Sequence, residues 1–258
     1  MKKLAVDLNS DVGESYGPYK MGNDEELFPY ITSANIACGF HAGDPGTMRK
    51  TLDLAAKHRV AVGAHPGYPD RLHFGRVPLP YSEDEIVDFV LYQMGALQTM
   101  AETVGLKLQH LKLHGALYHA AAEDRRLAEA LLDGLVRLSH PPIIIGPPNC
   151  VLQKESEDRG LDYASEGFAD RGYNEDGKLL ARGKPYSLLA DPHSAAEQAM
   201  QLVKERKVTT ASGKKIEMKV NTICIHGDTP GAAKIARAVR ERLELAKISI
   251  EPLHQLIV

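Results

Sequence analysis

Short apolar runs that end in glycine and polar residues recur along this chain, and segments with helical spacing separate them. Runs at residues 4–8, 33–38, 60–66 and 110–114 have the length of buried strands. Residues 141–149 predict a fifth strand with its end loop, 163–168 a sixth, 220–226 a seventh and 248–250 a last short one. The intervening helices announce their starts. Asp44-Pro45 and Asp191-Pro192 each pair an N-cap with a proline at the first helical position. Ser82-Glu-Asp-Glu85 is a capping box that opens a helix over 83–104, closed by Gly105. Further helices are predicted over 24–30, after Pro45, over 123–138, from Val151 and from Pro230 to Leu245.

Seven or eight strand–helix alternations predict a parallel sheet, and so many units in 258 residues favour closure. The expected fold class is α/β, a TIM-like (β/α) barrel, irregular and seven- or eight-stranded. An open doubly wound sheet is the weaker alternative, because no Gly-x-Gly-x-x-Gly turn follows the first strand. One domain over 1–258 is expected. Small hairpin insertions near 173–186 and 207–218 would centre on Asp176-Gly177 and Ser212-Gly213. The loop over 67–81 carries Arg71, His73, Phe74 and Arg76, and a loop this long suits a lid that closes on an anionic substrate.

Composition narrows the partners. A formal net charge of −3 gives no reason to expect nucleic acid or a membrane surface. No apolar run approaches the roughly 18 residues of a membrane span. The opening residues, Met1 to Asp7, predict a first strand and not a signal peptide. Cys38, Cys150 and Cys224 are widely spaced, without a Cys-x-x-Cys pair, and are expected to be reduced, buried and structural in a cytoplasmic protein.

Polar residues collect where strands end: Asp7, Asn9, Asp11 and Glu14, then His41 and Asp44, His65 and Asp70, Lys112 and His114, Glu166 and Asp170, His226 and Asp228. Barrel closure would bring these ends to one face. Four of the eleven histidines sit there. Imidazoles and carboxylates in one cleft suit general acid–base activation of water, or a bound divalent metal doing the same work. There is no His-Glu-x-x-His, no Gly-x-Ser-x-Gly and no P-loop. Helix starts at Gly43-Asp-Pro-Gly46 and Gly227-Asp-Thr-Pro-Gly231 could hold an anion, assisted by Arg71, Arg76, Lys112 and Arg171.

Taken together, the motifs resemble the LamB/YcsF family. The matching stretches are Asp7-Leu-Asn-Ser-Asp-Val-Gly-Glu14, Asn35-Ile-Ala-Cys-Gly-Phe-His-Ala-Gly-Asp-Pro45, Gly63-Ala-His-Pro-Gly-Tyr-Pro-Asp70 and Phe74-Gly-Arg76. Lys112 with His114-Gly-Ala-Leu-Tyr118, Glu166-Gly-Phe-Ala-Asp-Arg-Gly-Tyr173 and Cys224-Ile-His-Gly-Asp228 continue the match in the same order. Leu113 and His119 depart from the family's usual proline and asparagine. The resemblance implies a barrel related to the glycoside hydrolase/deacetylase superfamily. It also implies cleavage of 5-oxo-L-proline (pyroglutamate) to L-glutamate with ATP hydrolysis, Mg2+ accompanying the nucleotide, in a complex with the B and C subunits of a 5-oxoprolinase. The expected catalytic residues are Asp11, His41, His65, Lys112 and His114, with Asp11, His41 and His65 as ligands of any metal. Asn9, Asp44, Arg76, Glu166, Asp170, Arg171 and His226 are expected to bind substrate. Two other readings stay open: a metal-dependent carbohydrate deacetylase, and a substrate-binding subunit without catalysis of its own. Homo-oligomerisation is left open as well.

Overall fold

The first strand is longer than its apolar pattern predicts. In the computed structural model, which describes residues 4–257, β1 spans Ala5–Val12. Met1 to Lys3, the start of the predicted strand segment, lie outside the described residues. Val6, Leu8 and Val12 pack in the main hydrophobic core. Asp7, Asn9 and Asp11 alternate with them and form side-chain hydrogen bonds with residues of neighbouring strands. The polar residues after position 8 therefore belong to the strand and not to a loop. A two-residue period is how one strand serves two faces.

Strands β2 (Ser33–Ala37), β3 (Ala61–His65), β4 (Leu108–Lys112), β5 (Ile143–Gly146) and β6 (Tyr163–Phe168) follow, each parallel to the one before. Strands β7 (Lys207–Thr209) and β8 (Lys215–Glu217) form a separate antiparallel pair. Strand β9 (Thr222–Cys224) pairs with both β6 and β1, which closes a seven-stranded parallel barrel. Strand β10 (Ser249–Ile250) lies parallel to β1 at Ala5 and Val6, next to the β9 pairing. Around residues 173–179 the chain makes a turn with one antiparallel bridge, Tyr173 to Leu179.

The helices are α1 (Asp24–Leu27), α2 (Pro45–His58), α3 (Glu83–Glu102), α4 (Gly115–Glu123), α5 (Arg125–Leu135), α6 (Val151–Asp158), α7 (Pro192–Met200), α8 (Ala232–Leu245) and α9 (Leu253–Leu256). Ser82 and Glu85 form the reciprocal capping box of α3. The helix expected over 123–138 is α5, and α4, which was not expected, precedes it. Asp124 separates the two and caps α5, accepting from the Arg126 N–H at 2.9 Å. The sequence pattern hides α4, because Gly115, at φ +57°, looks like a loop residue. Its left-handed backbone in fact turns the chain from His114 directly into the helix.

Inside the barrel the polar side chains stack in layers. Asp7 accepts from Ser33, Thr32 and Thr222. Above it, Asn9 donates to Glu166 at 3.0 Å and to Thr222 at 2.7 Å, and Asn35 donates to Asn9 and Asp11 at 2.8 and 2.7 Å. His110 meets Asn35 at 2.7 Å. Buried polar groups are tolerated only when satisfied in this way, and a satisfied network fixes one geometry. The cysteines are free, Cys38 and Cys224 buried and Cys150 only half-buried.

Candidate active site

Each barrel strand delivers one or two side chains to the same end. Asp11 comes from β1 and Glu14 from just beyond it, His41 from the loop after β2, His65 from the last position of β3, and Lys112 and His114 from the end of β4. They line or back a cavity of about 470 Å³. Its wall also carries Arg76, Tyr118, His119, Arg171, Lys178, Arg182, His226 and Asp228. A larger surface cleft of about 820 Å³ lies between α7 and the β7–β8 hairpin. We place the chemistry in the smaller cavity, because that is where the buried imidazoles and carboxylates meet.

The imidazoles form a compact stack. His41 and His114 lie face to face, centroids 3.7 Å apart and planes 1° from parallel. His65 stands edge-on to both. His65 Nδ1 is 2.8 Å from the Lys112 carbonyl oxygen, and His114 Nε2 is 2.8 Å from that of Phe74. Glu14 Oε1 approaches His41 Nε2 at 3.5 Å and His114 Nδ1 at 3.7 Å. Burial, with His114 and His65 close by, holds His41 well below the usual histidine range, so it is a neutral ring at pH 7. Burial and then His65 do the same to His114. Burial and the nearby charges of Asp11 and Asp228 push Glu14 well above the usual carboxylate range. Glu14 Oε1 and both His41 nitrogens are buried with no hydrogen-bond partner among the described residues.

Lys112 is held differently. Its ammonium lies 2.9 Å from Asp11 Oδ1 and 2.8 Å from Glu166 Oε1, and it donates to Cys224 Sγ at 3.1 Å. Burial works against its charge, but Asp11 and Glu166 more than offset it and keep the lysine protonated. Asp11 is likewise held well below its usual range by His65 and Lys112 in spite of burial.

Several residues expected to bind substrate are instead used by the protein. The Asp44 carboxylate caps α2, accepting from Thr47 N–H at 2.7 Å, and also takes the Gly17 N–H at 2.9 Å. It does not line the cavity, and its helix start offers no free anion site. Asp170 is fully buried and orients His226, meeting Nδ1 at 3.0 Å and accepting the Thr229 hydroxyl at 2.7 Å. Asn9 and Glu166 lie in the layer beneath Lys112, where Glu166 also accepts from Tyr118 at 2.9 Å. Arg76, Arg171 and His226 do face the cavity. Among residues not singled out from sequence for a role, Glu14 stands out. It was visible as a strand-end carboxylate, but nothing in the linear order pairs it with His41 and His114. Arg182 carried no signal at all.

The loop over 67–81 packs as a wall of the site and is tied down at several points. Gln93 of α3 clasps Gly67 through two hydrogen bonds, of 3.2 and 3.0 Å. Arg71 donates to Gly39 O and stacks on Tyr16. Phe74, at φ +56°, packs edge-on against His41 and His114. A Cβ on Gly75 would sit 2.9 Å from His41 Cβ and 3.0 Å from His114 Cδ2, so only glycine fits there.

A family model described as LamB/YcsF family matches residues 6–258. The chain belongs to the LamB/YcsF family. It is 46% identical over 254 residues to the 5-oxoprolinase A subunit of Pyrococcus abyssi, covering 98% of this chain and 100% of that one. It is also 46% identical over 252 residues to the protein of the same name from Campylobacter jejuni, covering 98% and 99%. The crystal structure of the lactam utilization protein from Thermus thermophilus matches with a TM-score of 0.90 at 42% identity, over 96% of this chain and 99% of that one. In this LamB/YcsF member the family-like stretches are far apart in sequence. The barrel nevertheless brings Asp11, Glu14, His65, Arg76, Lys112, His114, Arg171 and His226 to one cavity. Among the described residues, no helix is long and apolar enough to cross a membrane.

Proposed function

We propose that this chain opens the lactam ring of 5-oxo-L-proline to give L-glutamate, as the A subunit of an ATP-consuming, cytoplasmic 5-oxoprolinase that also contains B and C subunits. The observation that carries this reading is the pairing of two surfaces in one cavity. A buried carboxylate–imidazole cluster (Asp11, Glu14, His41, His65, His114) faces a cationic wall of Arg76, Arg171 and Arg182. The names of the relatives, a 5-oxoprolinase A subunit and a lactam utilization protein, agree with it.

The chemistry follows from the groups. A five-membered lactam is an amide, and its carbonyl carbon resists water. Phosphoryl transfer from ATP, with its Mg2+, to the lactam oxygen makes that carbon electrophilic; once water has added and the C–N bond has broken, the acyl phosphate that remains is hydrolysed by a second water to glutamate and phosphate. The attacking water must lose a proton, and His226, which lines the cavity with its Nδ1 held by Asp170 at 3.0 Å, is the imidazole placed to take it. The ring nitrogen must gain a proton before the C–N bond breaks. The same His226 imidazole, once protonated and backed by Asp170, can return that proton to the ring nitrogen. Arg171 is fixed by Ser187 O at 2.9 Å and Leu180 O at 2.6 Å, so its remaining N–H groups are pre-aimed. With Arg76 and Arg182, which flank Asp228 at 2.6 and 3.7 Å, it suits the substrate carboxylate and a phosphoryl oxygen. Lys112, neutralised on two sides, sets the position and charge of Asp11 more than it meets substrate.

The test is reconstitution with the partner subunits, 5-oxoproline and Mg-ATP, following glutamate and ADP together. Glutamate should require this chain, the partners and ATP at once. Unchanged glutamate production with this chain omitted would overturn the reading, and release of acetate from acetylated sugars without ATP would favour a deacetylase instead.

A further inference from the structure

Two buried imidazoles turn lone pairs towards each other. A carbonyl oxygen only accepts, so His65 Nδ1, 2.8 Å from Lys112 O, carries a hydrogen, and so does His114 Nε2, 2.8 Å from Phe74 O. In the neutral rings the remaining nitrogens, His65 Nε2 and His114 Nδ1, are bare acceptors. They lie 2.9 Å apart. Two acceptors do not hold each other at that distance, so a positive centre belongs with them.

A proton shared between the two rings would satisfy those two nitrogens only. It would leave Glu14 Oε1 and both nitrogens of His41 orphaned, and all of these are buried without partners. A metal ion would satisfy that pair together with Glu14 Oε1 and one of the two His41 nitrogens. One donor atom from each of Glu14, His41, His65 and His114 falls within a mutual 4.8 Å, and all four residues are buried. We propose that Glu14, His41, His65 and His114 form a site for one divalent cation of the zinc class.

The donor set decides the class. Three imidazoles and a carboxylate suit Zn2+, with Co2+ and Ni2+ as competitors, whereas Mg2+ and Ca2+ prefer all-oxygen shells. Tetrahedral ligands at about 2.1 Å from zinc stand roughly 3.4 Å from one another. The observed separations of 2.9, 3.5 and 3.7 Å straddle that value, so closure needs only small side-chain shifts. The ring hydrogens held by Lys112 O and Phe74 O supply the outer support that orients metal-bound histidines. The backbone around the rings leaves no slack, since a Cβ on Gly67 would lie 2.8 Å from His41 Nδ1. Asp11 Oδ2, 3.5 Å from His65 Nε2, borders the site on the cavity side. The other dense donor group, Asp11 with Cys224 and His226, is not a metal site of the same kind. The Lys112 ammonium already sits 2.9 Å from Asp11 and 3.1 Å from Cys224 as its cation.

The site shares the cavity assigned to lactam opening and rests on that reading only for what the metal would be used for. Metal binding itself is read without substrate, ATP or partners. The full chain is stripped with EDTA and titrated with Co2+ alone, following the visible d–d absorption, and separately with Zn2+, following metal content by elemental analysis and the thermal midpoint. The expected result is close to one ion per chain, a tetrahedral cobalt spectrum and a raised midpoint. Glu14→Gln and His114→Gln should each weaken binding by more than about 100-fold, beyond the loss typical of an outer-shell change. Should either variant fold poorly by circular dichroism, His41→Gln is read in the same way, and the wild-type titration stands by itself. A wild-type chain that gives no cobalt spectrum and no midpoint response at micromolar free metal overturns the proposal in favour of a shared proton. Variants that bind as tightly as wild type overturn the ligand assignment. A chain that binds metal but fails in reconstituted lactam opening leaves the site standing and removes the functional reading alone.

Discussion

The Lys112 ammonium lies 2.8 Å from Glu166 Oε1, and these side chains are 3% and 0% exposed. Asp11 flanks the same ammonium at 2.9 Å, so one cation balances two buried carboxylates. Lys112→Met leaves both without a counter-charge. Breaking a buried ion pair from one side costs about 3–5 kcal/mol, and this loss should be measured by chemical denaturation. Adding Glu166→Gln should recover part of it. A Lys112→Met chain as stable as wild type but inactive would make the lysine a direct catalyst instead.

Asp7 gives stability a pH dependence of definite sign. Burial raises its carboxyl to about 6. Between pH 3.8 and about 6 the unfolded chain has released this proton while the native chain keeps it, so stability falls as pH rises through that window. Two units correspond to about 3 kcal/mol. The stability difference between Asp7→Asn and wild type should therefore move by up to that amount in the variant's favour from pH 4 to pH 7. Asp11 and Asp170, held below their usual range, act oppositely and at lower pH. A pH-independent difference would show that Asp7 titrates normally.

The wall formed by residues 67–81 should be intolerant of change. Gly75→Ala places a Cβ at φ +62° against His41 and His114. A loss of about 1–3 kcal/mol is expected from the strained backbone, together with a fall in kcat from displaced rings. Deleting residues 72–75 removes the carbonyl that holds His114 and should lower the thermal midpoint sharply. An unchanged midpoint would favour the lid reading.

Substrate contacts and proton-transfer groups should separate kinetically. In the reconstituted enzyme, Arg182→Met should raise KM for 5-oxoproline or ATP with kcat little changed. His226→Gln should lower kcat by roughly 10²–10⁴-fold, the scale of acid–base catalysis. Equal effects on KM and kcat in both variants would dissolve the division between the cationic wall and the proton-transfer group.

Much of the architecture was legible in the chain itself. Glycine-terminated apolar runs marked the barrel strands, and Asp44-Pro45, Ser82 with Glu85 and Asp191-Pro192 marked helix starts that the fold keeps. These signals are local: a cap or a strand end depends on neighbours three or four residues away. The same locality explains why Asp11, His65, Lys112 and His114 could be picked out as strand-end residues, since a parallel barrel sends all such ends to one face.

Only the closed barrel decided which polar residues are free to act. Asp44 and Glu14 are both carboxylates just beyond a strand, yet one is engaged by two backbone N–H groups and the other keeps an oxygen unpartnered against three imidazoles. Asp170 looked like a ligand for substrate and is a support for His226. Lys112 looked like a free cation and is shared by Asp11 and Glu166, from strands far apart in sequence. Hydrogen bonding and charge pairing at separations of 49 to 213 residues set these roles, and no periodicity along the chain encodes them.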